Sequence, residues 1–231
     1  MGMRIVFFFR ALFCKFFPFE KRSKGGIKRG FSIGIEGGDG AGKDTLIEKL
    51  KEKYKNWDVV FTREPGGTPY GEEYRVILLV SDNAKQSDDL TRLLGFFAAR
   101  RDTMKNLVIP NLLKGWNVVS GRNAMSSFIY NATTEELRKL FWILYEAVLG
   151  EYKPDLYILL DISPETSLKR KGNVGVEINH YDNAEFKELV RRREASHEFL
   201  KYVPHKVIDA EQSKECVFEE AVKILDHYLV K

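Results

Sequence analysis

Gly37, Gly42 and Lys43 are the first residues of this chain whose spacing could do chemistry. A glycine, four residues, a second glycine and a lysine is the pattern of a phosphate-binding P-loop. Glycines at 37, 38, 40 and 42 remove side chains, so backbone N–H groups can converge on phosphate oxygens. The helix that follows adds unpaired donors and a dipole that favours an anion. Lys43 supplies a point charge for the β and γ phosphates. Where the pattern asks for Ser or Thr after the lysine, this chain has Asp44, and then Thr45. A carboxylate here repels phosphates unless a cation lies between, so Asp44 makes magnesium the central question. The loop must be delivered by a strand and received by a helix. Phe31–Ile35 is the apolar run that fits the strand, and Leu46–Tyr54 carries a helical apolar stripe with Lys and Glu opposite.

The rest of the chain alternates in the same way. Asp58–Thr62, Trp116–Ser120, Leu156–Asp161 and Lys206–Ile208 read as further strands, with a polar turn after the third. Asp88–Leu113 is a long helical pattern with a bend or restart near Pro110. Glu135–Leu149, capped by Thr133 or Thr134, Asn183–Tyr202 and Lys214–Leu229 are the other helices. This alternation predicts an α/β protein of the P-loop NTPase fold, a parallel sheet with helices on both faces.

At 231 residues the chain has room for one substantial core or at most two small domains, and its 30% charged content is that of an ordinary globular protein. The net charge of +4 is unevenly spread, because residues 1–30 carry eight Lys/Arg against one acid and the remainder is −3. A mildly acidic globular part argues against nucleic acid as a partner. Two cysteines, Cys14 and Cys216, exclude a disulfide framework and fit a reducing, cytoplasmic setting. Residues 1–30 stand apart, with seven phenylalanines interleaved with Arg4, Arg10 and Lys15. That segment is too short and too charged to span a bilayer. It reads as an organelle-targeting peptide, a membrane-surface helix or a dispensable tail, with Ser23–Gly30 as linker.

With TREPGGTPYG, LLGFFAAR, VVSGRNAMSSFIYN and PDLYILLDISPETSLKR following the P-loop, the chain from Phe31 onward resembles the thymidylate kinase family. Thr62–Gly71, TREPGGTPYG, with Glu72 and Arg75 after it, is similar to the family's TREPGGTP-x-GE-x-x-R segment. LLGFFAAR (Leu93–Arg100), VVSGRNAMSSFIYN (Val118–Asn131), PDLYILLDISPETSLKR (Pro154–Arg170) and VIDA (Val207–Ala210) follow in the family's order. The resemblance implies a kinase that uses ATP and magnesium to convert dTMP to dTDP, acting as a homodimer. ATP would lie on Gly37, Gly38, Asp39, Gly40, Ala41, Gly42, Lys43, Asp44 and Thr45. The dTMP set would be Asp39, which accepts from the sugar hydroxyl, with Arg63, Pro65, Phe96, Arg100, Arg122, Ser126, Tyr130, Asn131 and Tyr181. Phe96 lies four residues before Arg100, so the two share a helix face. The family's phenylalanine stacks on thymine, its arginine at 100 meets the base edge, and its arginine at 122 holds the acceptor phosphate. Asn131 stands in place of a glutamine, and Tyr181 would close over the sugar. In this family a catalytic arginine comes from the P-loop or from a lid. The P-loop position here is Gly40, so Arg170, at the entrance to a lid near 171–182, is the candidate.

Two residues depart from the resemblance. Asp44 removes a magnesium-ligating hydroxyl, and Gly121 stands where the family's aspartate holds magnesium through water. One carboxylate is lost and one gained beside the same ion, which makes Asp44 the candidate metal ligand. The rival readings are a nucleotide-binding pseudoenzyme and a kinase for another pyrimidine monophosphate.

Overall fold

The computed structural model describes residues 29–171 and 185–229. Five parallel strands form its sheet: β1 (Ser32–Gly37), β2 (Val59–Arg63), β3 (Asn117–Gly121), β4 (Leu156–Asp161) and β5 (His205–Asp209), in the order β2-β3-β1-β4-β5. β1, which carries the P-loop, lies between β3 and β4, as its unbroken apolar run requires. Alternate residues of β4 show why both faces are covered. Ile158 and Leu160 join Ile33, Ile35, Leu46 and Leu225 on one side. Tyr157 and Leu159 join Phe97, Phe128, Phe141 and Phe199 on the other.

The helices are α1 (Lys43–Lys53), α2 (Pro69–Arg75), α3 (Asp89–Thr103), α4 (Ile109–Leu113), α5 (Ala124–Asn131), α6 (Glu135–Leu149), α7 (Pro164–Lys171), α8 (Phe186–Leu200) and α9 (Lys214–Tyr228). Side-chain caps start several of them: Thr68 accepts from Gly71 N, Asp88 from Thr91 N, Thr134 from Leu137 N and Ser213 from Cys216 N. Thr134, rather than Thr133, therefore begins α6. The bend expected near Pro110 is a π-helical turn over Met104–Val108, after which α4 resumes with Pro110 in its first turn. Proline has no N–H for the carbonyl four residues back, and the wider turn absorbs the loss.

Three helices, α2, α5 and α7, are absent from the sequence expectation. The polar turn after β3 is brief, and α5 follows at once. Ala124, Met125, Ser127, Phe128, Ile129 and Asn131 of α5 are all buried, so no polar stripe marks it as a helix. In the sequence α2 shows only as part of the TREPGGTPYG motif, and Thr68 with Pro69 makes it a helix start. Arg29 and Gly30, just before Phe31, also contact the body of the fold. Arg29 makes a bidentate pair with Asp155 at 2.6 and 3.0 Å, and Gly30 N donates to Leu112 O.

The register brings the carboxyl ends of the strands together. Gly121 lies opposite both Ile35 of β1 and Arg63 of β2, and Gly37 lies opposite Leu160 of β4. In an open parallel sheet this edge is where ligands bind. β1 sits where the chain direction of the crossovers reverses, so the P-loop opens at the centre of that edge.

Candidate functional site

The P-loop leaves β1 through backbone that only glycine adopts easily, with φ of 78° at Gly40 and 84° at Gly42. Gly42 caps α1 without a side-chain hydrogen bond, which leaves the first amides of α1 to an incoming acceptor. The buried Lys43 ammonium donates to the carbonyls of Gly37 and Gly38 at 2.7 and 2.8 Å. Burial, and then the neighbouring Arg122 guanidinium, pull its pKa down to about 7. Ala41 is buried behind the loop, while Asp44 and Thr45 are exposed on the first turn of α1.

Beside the loop lies a second charged cluster. Arg122, in left-handed backbone at φ 65°, sends its guanidinium to Asp39 at 3.6 Å and Ser126 Oγ at 3.4 Å. Arg192 of α8 reaches the same carboxylate at 3.2 Å and lies 4.6 Å from the centre of the Tyr130 ring. The Arg122 guanidinium is 5.9 Å from that ring. Two cations thus flank one aspartate above an aromatic face. Asp39, Arg122, Ser126 and Tyr130 were all expected here, and Arg192 was not. Its only sequence signal is the Arg191–Arg193 run on α8, which looks like any solvated helix face.

The third cluster is buried under the second. Arg100 donates from Nε to Glu64 at 2.6 Å and from Nη2 to Ser127 at 3.1 Å. The two side chains of this ion pair are 2% and 4% exposed. Arg100 Nη1 is buried without a partner among the described residues, which leaves its N–H groups for a ligand oxygen. The ring under its guanidinium is that of Phe97, at 4.8 Å, and Phe96 next to it is half-buried. Burial pushes the Glu64 carboxyl up from the ordinary range while Arg100 pulls it back. Around this pair, Pro65 follows a cis peptide bond and its carbonyl accepts from Arg75 at 3.0 Å. Arg63 is exposed at the end of β2 and pairs with Glu72 at 2.9 Å. Asn131 is fully buried at the end of α5.

Arg170 of α7 donates to the carbonyls of Gly40 and Ala210 at 3.2 and 2.9 Å. A Cβ at Gly40 would lie 3.3 Å from Arg170 Cβ, so glycine in the loop is what lets the arginine stem pack there. Arg170 thereby ties the P-loop to the segment after β5. Tyr181 and nearly all of the expected lid at 171–182 lie outside the described residues.

At Gly121 the neighbour of interest is Ile47, whose Cδ1 would be 2.4 Å from an added Cβ. Ile47 therefore fills the space that an aspartate at 121 would use. Among the described residues no three His, Cys, Asp or Glu side chains converge on a metal site. Magnesium in phosphoryl transfer needs fewer, since one or two carboxylates suffice beside phosphate and water oxygens. Asp44 meets that requirement, being exposed on α1 and close enough to Lys43 and Arg75 to affect both electrostatically.

Comparison with known proteins gives one answer. The sequence profile of the thymidylate kinase family matches residues 35–221. A thymidylate kinase of Caldicellulosiruptor saccharolyticus is 39% identical over 213 residues, covering 88% of this chain and 99% of that protein. One from Francisella philomiragia is 40% identical over 210 residues, 85% of this chain and 98% of the relative. One from Vibrio parahaemolyticus is 33% identical over 208 residues, 88% and 98% respectively.

Proposed function

This chain belongs to the thymidylate kinase family, and from that premise we propose an active dTMP kinase that moves the γ-phosphoryl group of ATP to dTMP, giving dTDP and ADP. The observation that carries the reading is the cluster of Arg122 and Arg192 around Asp39, over Tyr130. A protein that only held a nucleotide would need the P-loop alone. A second cationic site beside it makes sense when a second phosphate must be brought to the first.

In this reading Gly37 to Gly42 wrap the ATP phosphates with backbone N–H groups, and Lys43 exchanges its two carbonyl partners for phosphate oxygens. Asp44 and Thr45 lie on the same turn, and Asp44 would hold magnesium, which when bound neutralises phosphate charge. Arg122 meets the acceptor phosphate, while Arg192, held by Glu188 at 2.8 Å, keeps Asp39 in place. Asp39 accepts from the sugar hydroxyl. Arg100 turns its spare donor to a base oxygen, with Phe96, Ser126, Tyr130 and Asn131 shaping the rest of the base pocket, Tyr181 over the sugar, and Arg63 and Pro65 at the rim. Arg170 brings positive charge to the loop at Gly40, where charge on the transferred group must be balanced.

The enzyme works in the cytoplasm as a homodimer. Leu78 packs on Gly95, where an added Cβ would come within 2.7 Å of its Cδ2. Beside that contact Val76, Ile77, Val80, Leu90 and Leu94 are exposed, an apolar patch that a second copy would cover. Among the described residues no helix is long and apolar enough to cross a membrane. Residues 1–30 remain the one segment with a composition suited to a membrane surface.

A coupled ADP-release assay over dTMP, dUMP and other pyrimidine monophosphates, with and without magnesium, tests the reading. Magnesium-dependent turnover with highest kcat/KM for dTMP is expected. ATP binding without transfer to any monophosphate overturns it.

A further inference from the structure

Asn123 belongs to none of the site residues named above, yet it joins them. It is 5% exposed, between β3 and α5, with every polar atom engaged, its backbone carbonyl by Ser126 N at 3.1 Å. Its backbone N donates to Glu36 Oε1 at 2.6 Å. Its Nδ2 donates to Glu64 Oε1 at 3.1 Å. Its Oδ1 accepts from Ala124 N at 2.7 Å and from the Tyr157 hydroxyl at 3.1 Å. The two carboxylates lead in opposite directions. Glu64 holds Arg100. Glu36 accepts from Ser126 N and Oγ at 3.2 and 2.8 Å, and Ser126 Oγ accepts from Arg122.

We propose that Asn123 is a positioning residue that fixes the base-reading guanidinium of Arg100 against the phosphate-holding guanidinium of Arg122. The inference rests on the acceptor roles given to those arginines above. The argument is one of donors and acceptors. Glu36 and Glu64 are both buried acids, at 1% and 4% exposure, and burial pushes both carboxyls up. A residue between them must donate to both without adding a carboxylate, and without a full positive charge that would draw Glu64 away from Arg100. A neutral amide with a backbone N–H does so. Tyr157, fixed in β4 and fully buried, orients that amide by donating to its oxygen, so Nδ2 rather than Oδ1 faces Glu64. With one Glu64 oxygen held by Asn123, the other is left for Arg100 Nε. Arg100 is then pinned by Glu64 and Ser127 with Nη1 unpartnered. Without the amide donor, Glu64 is free to rotate and take Nη2, the nitrogen beside Nε, away from Ser127, which removes one of the two contacts that aim Nη1.

The polarity of this bond can be reversed at constant charge. Asn123→Asp sets two carboxylates face to face while keeping the oxygen that serves Ala124 N and Tyr157. Adding Glu64→Gln restores a donor–acceptor pair, with the new amide donating to the new carboxylate and its oxygen left for Arg100 Nε. Steady-state KM for dTMP and for ATP is measured in both proteins, with thermal unfolding and with Arg100→Ala as a reference. Asn123→Asp should raise the dTMP KM at least tenfold and the ATP KM less than twofold, and the swap should recover most of the loss. Equal rises in both KM values, an unchanged dTMP KM in Asn123→Asp, or a swap that is no better than Asn123→Asp or fails to fold overturns the proposal. If Arg100→Ala leaves the dTMP KM unchanged, the acceptor reading of Arg100 falls with it. If Arg100→Ala raises the dTMP KM and Asn123→Asp does not, only the positioning role falls.

Discussion

Replacing Arg100 with methionine should separate what the buried ion pair does for stability from what it does for substrate. The guanidinium lies 2.6 Å from Glu64, with both side chains almost wholly buried. Removing it strands a carboxylate with Asn123 Nδ2 as its remaining partner, and breaking a buried pair in this way costs about 3–5 kcal/mol. Protonation offers Glu64 an escape, which limits the loss. Neutralising a carboxyl of ordinary pKa 4.5 at pH 7 costs at most about 3.4 kcal/mol, at 1.36 kcal/mol per pH unit. The lower end of the range is therefore expected at pH 7, falling to about 1.4 kcal/mol at pH 5.5. The sign follows from proton linkage. A carboxyl whose folded pKa lies above its unfolded value favours folding below the unfolded value, and that contribution is lost as pH rises through the folded one. The defect of Arg100→Met must therefore grow with pH. Adding Glu64→Gln removes the stranded charge and should restore most of the stability at pH 7. It should not restore dTMP affinity, because a charge-assisted contact of about 1.5–3 kcal/mol, at least tenfold in KM, is still missing. Urea unfolding at pH 5.5 and 7.0, with KM for both substrates, reads all of this. A stability loss that does not change with pH, or a double variant with normal dTMP KM, would refute the reasoning.

Three further outcomes are expected. Asp44→Asn should depress kcat and raise the magnesium requirement, and Asp44→Thr with Gly121→Asp should regain transfer only when Ile47→Val removes the atom 2.4 Å from the new Cβ. That methyl group otherwise makes Gly121→Asp an overpacked variant, costing roughly 1–3 kcal/mol, and full activity in Asp44→Asn would end the metal assignment. Deleting residues 1–28 should leave kcat and melting temperature unchanged, whereas deleting through Gly30 removes the Arg29–Asp155 pair and should lower the melting temperature. A large kcat loss in the shorter deletion would place the extension in the working enzyme. Ile77→Asp with Val80→Asp puts charge into the exposed apolar patch, and sedimentation at micromolar concentration should shift from dimer to monomer. A wild-type protein that is already monomeric would contradict the patch assignment.

Features that rest on local pattern are legible in the chain alone. Phe31–Ile35 could be recognised as a buried strand because apolar residues fill both faces, and Gly37 to Lys43 as a phosphate loop because its function lies in the backbone and one lysine. Arg122 was legible as well, since it stands just past a strand end. The tertiary structure alone decided which side chains meet. Arg192 reaches Asp39 across 153 residues of sequence, and Arg100 reaches Glu64 across 36. Neither contact leaves a periodic trace, because periodicity reports which face of an element is buried and not which partner it faces. Helix α5 escaped for a related reason, since a helix buried all round has no polar stripe to show. Gly121 could be read as a lost carboxylate, but Ile47 filling its place could not. That contact exists because α1 packs over the end of β3, and the sheet order brings those two elements together.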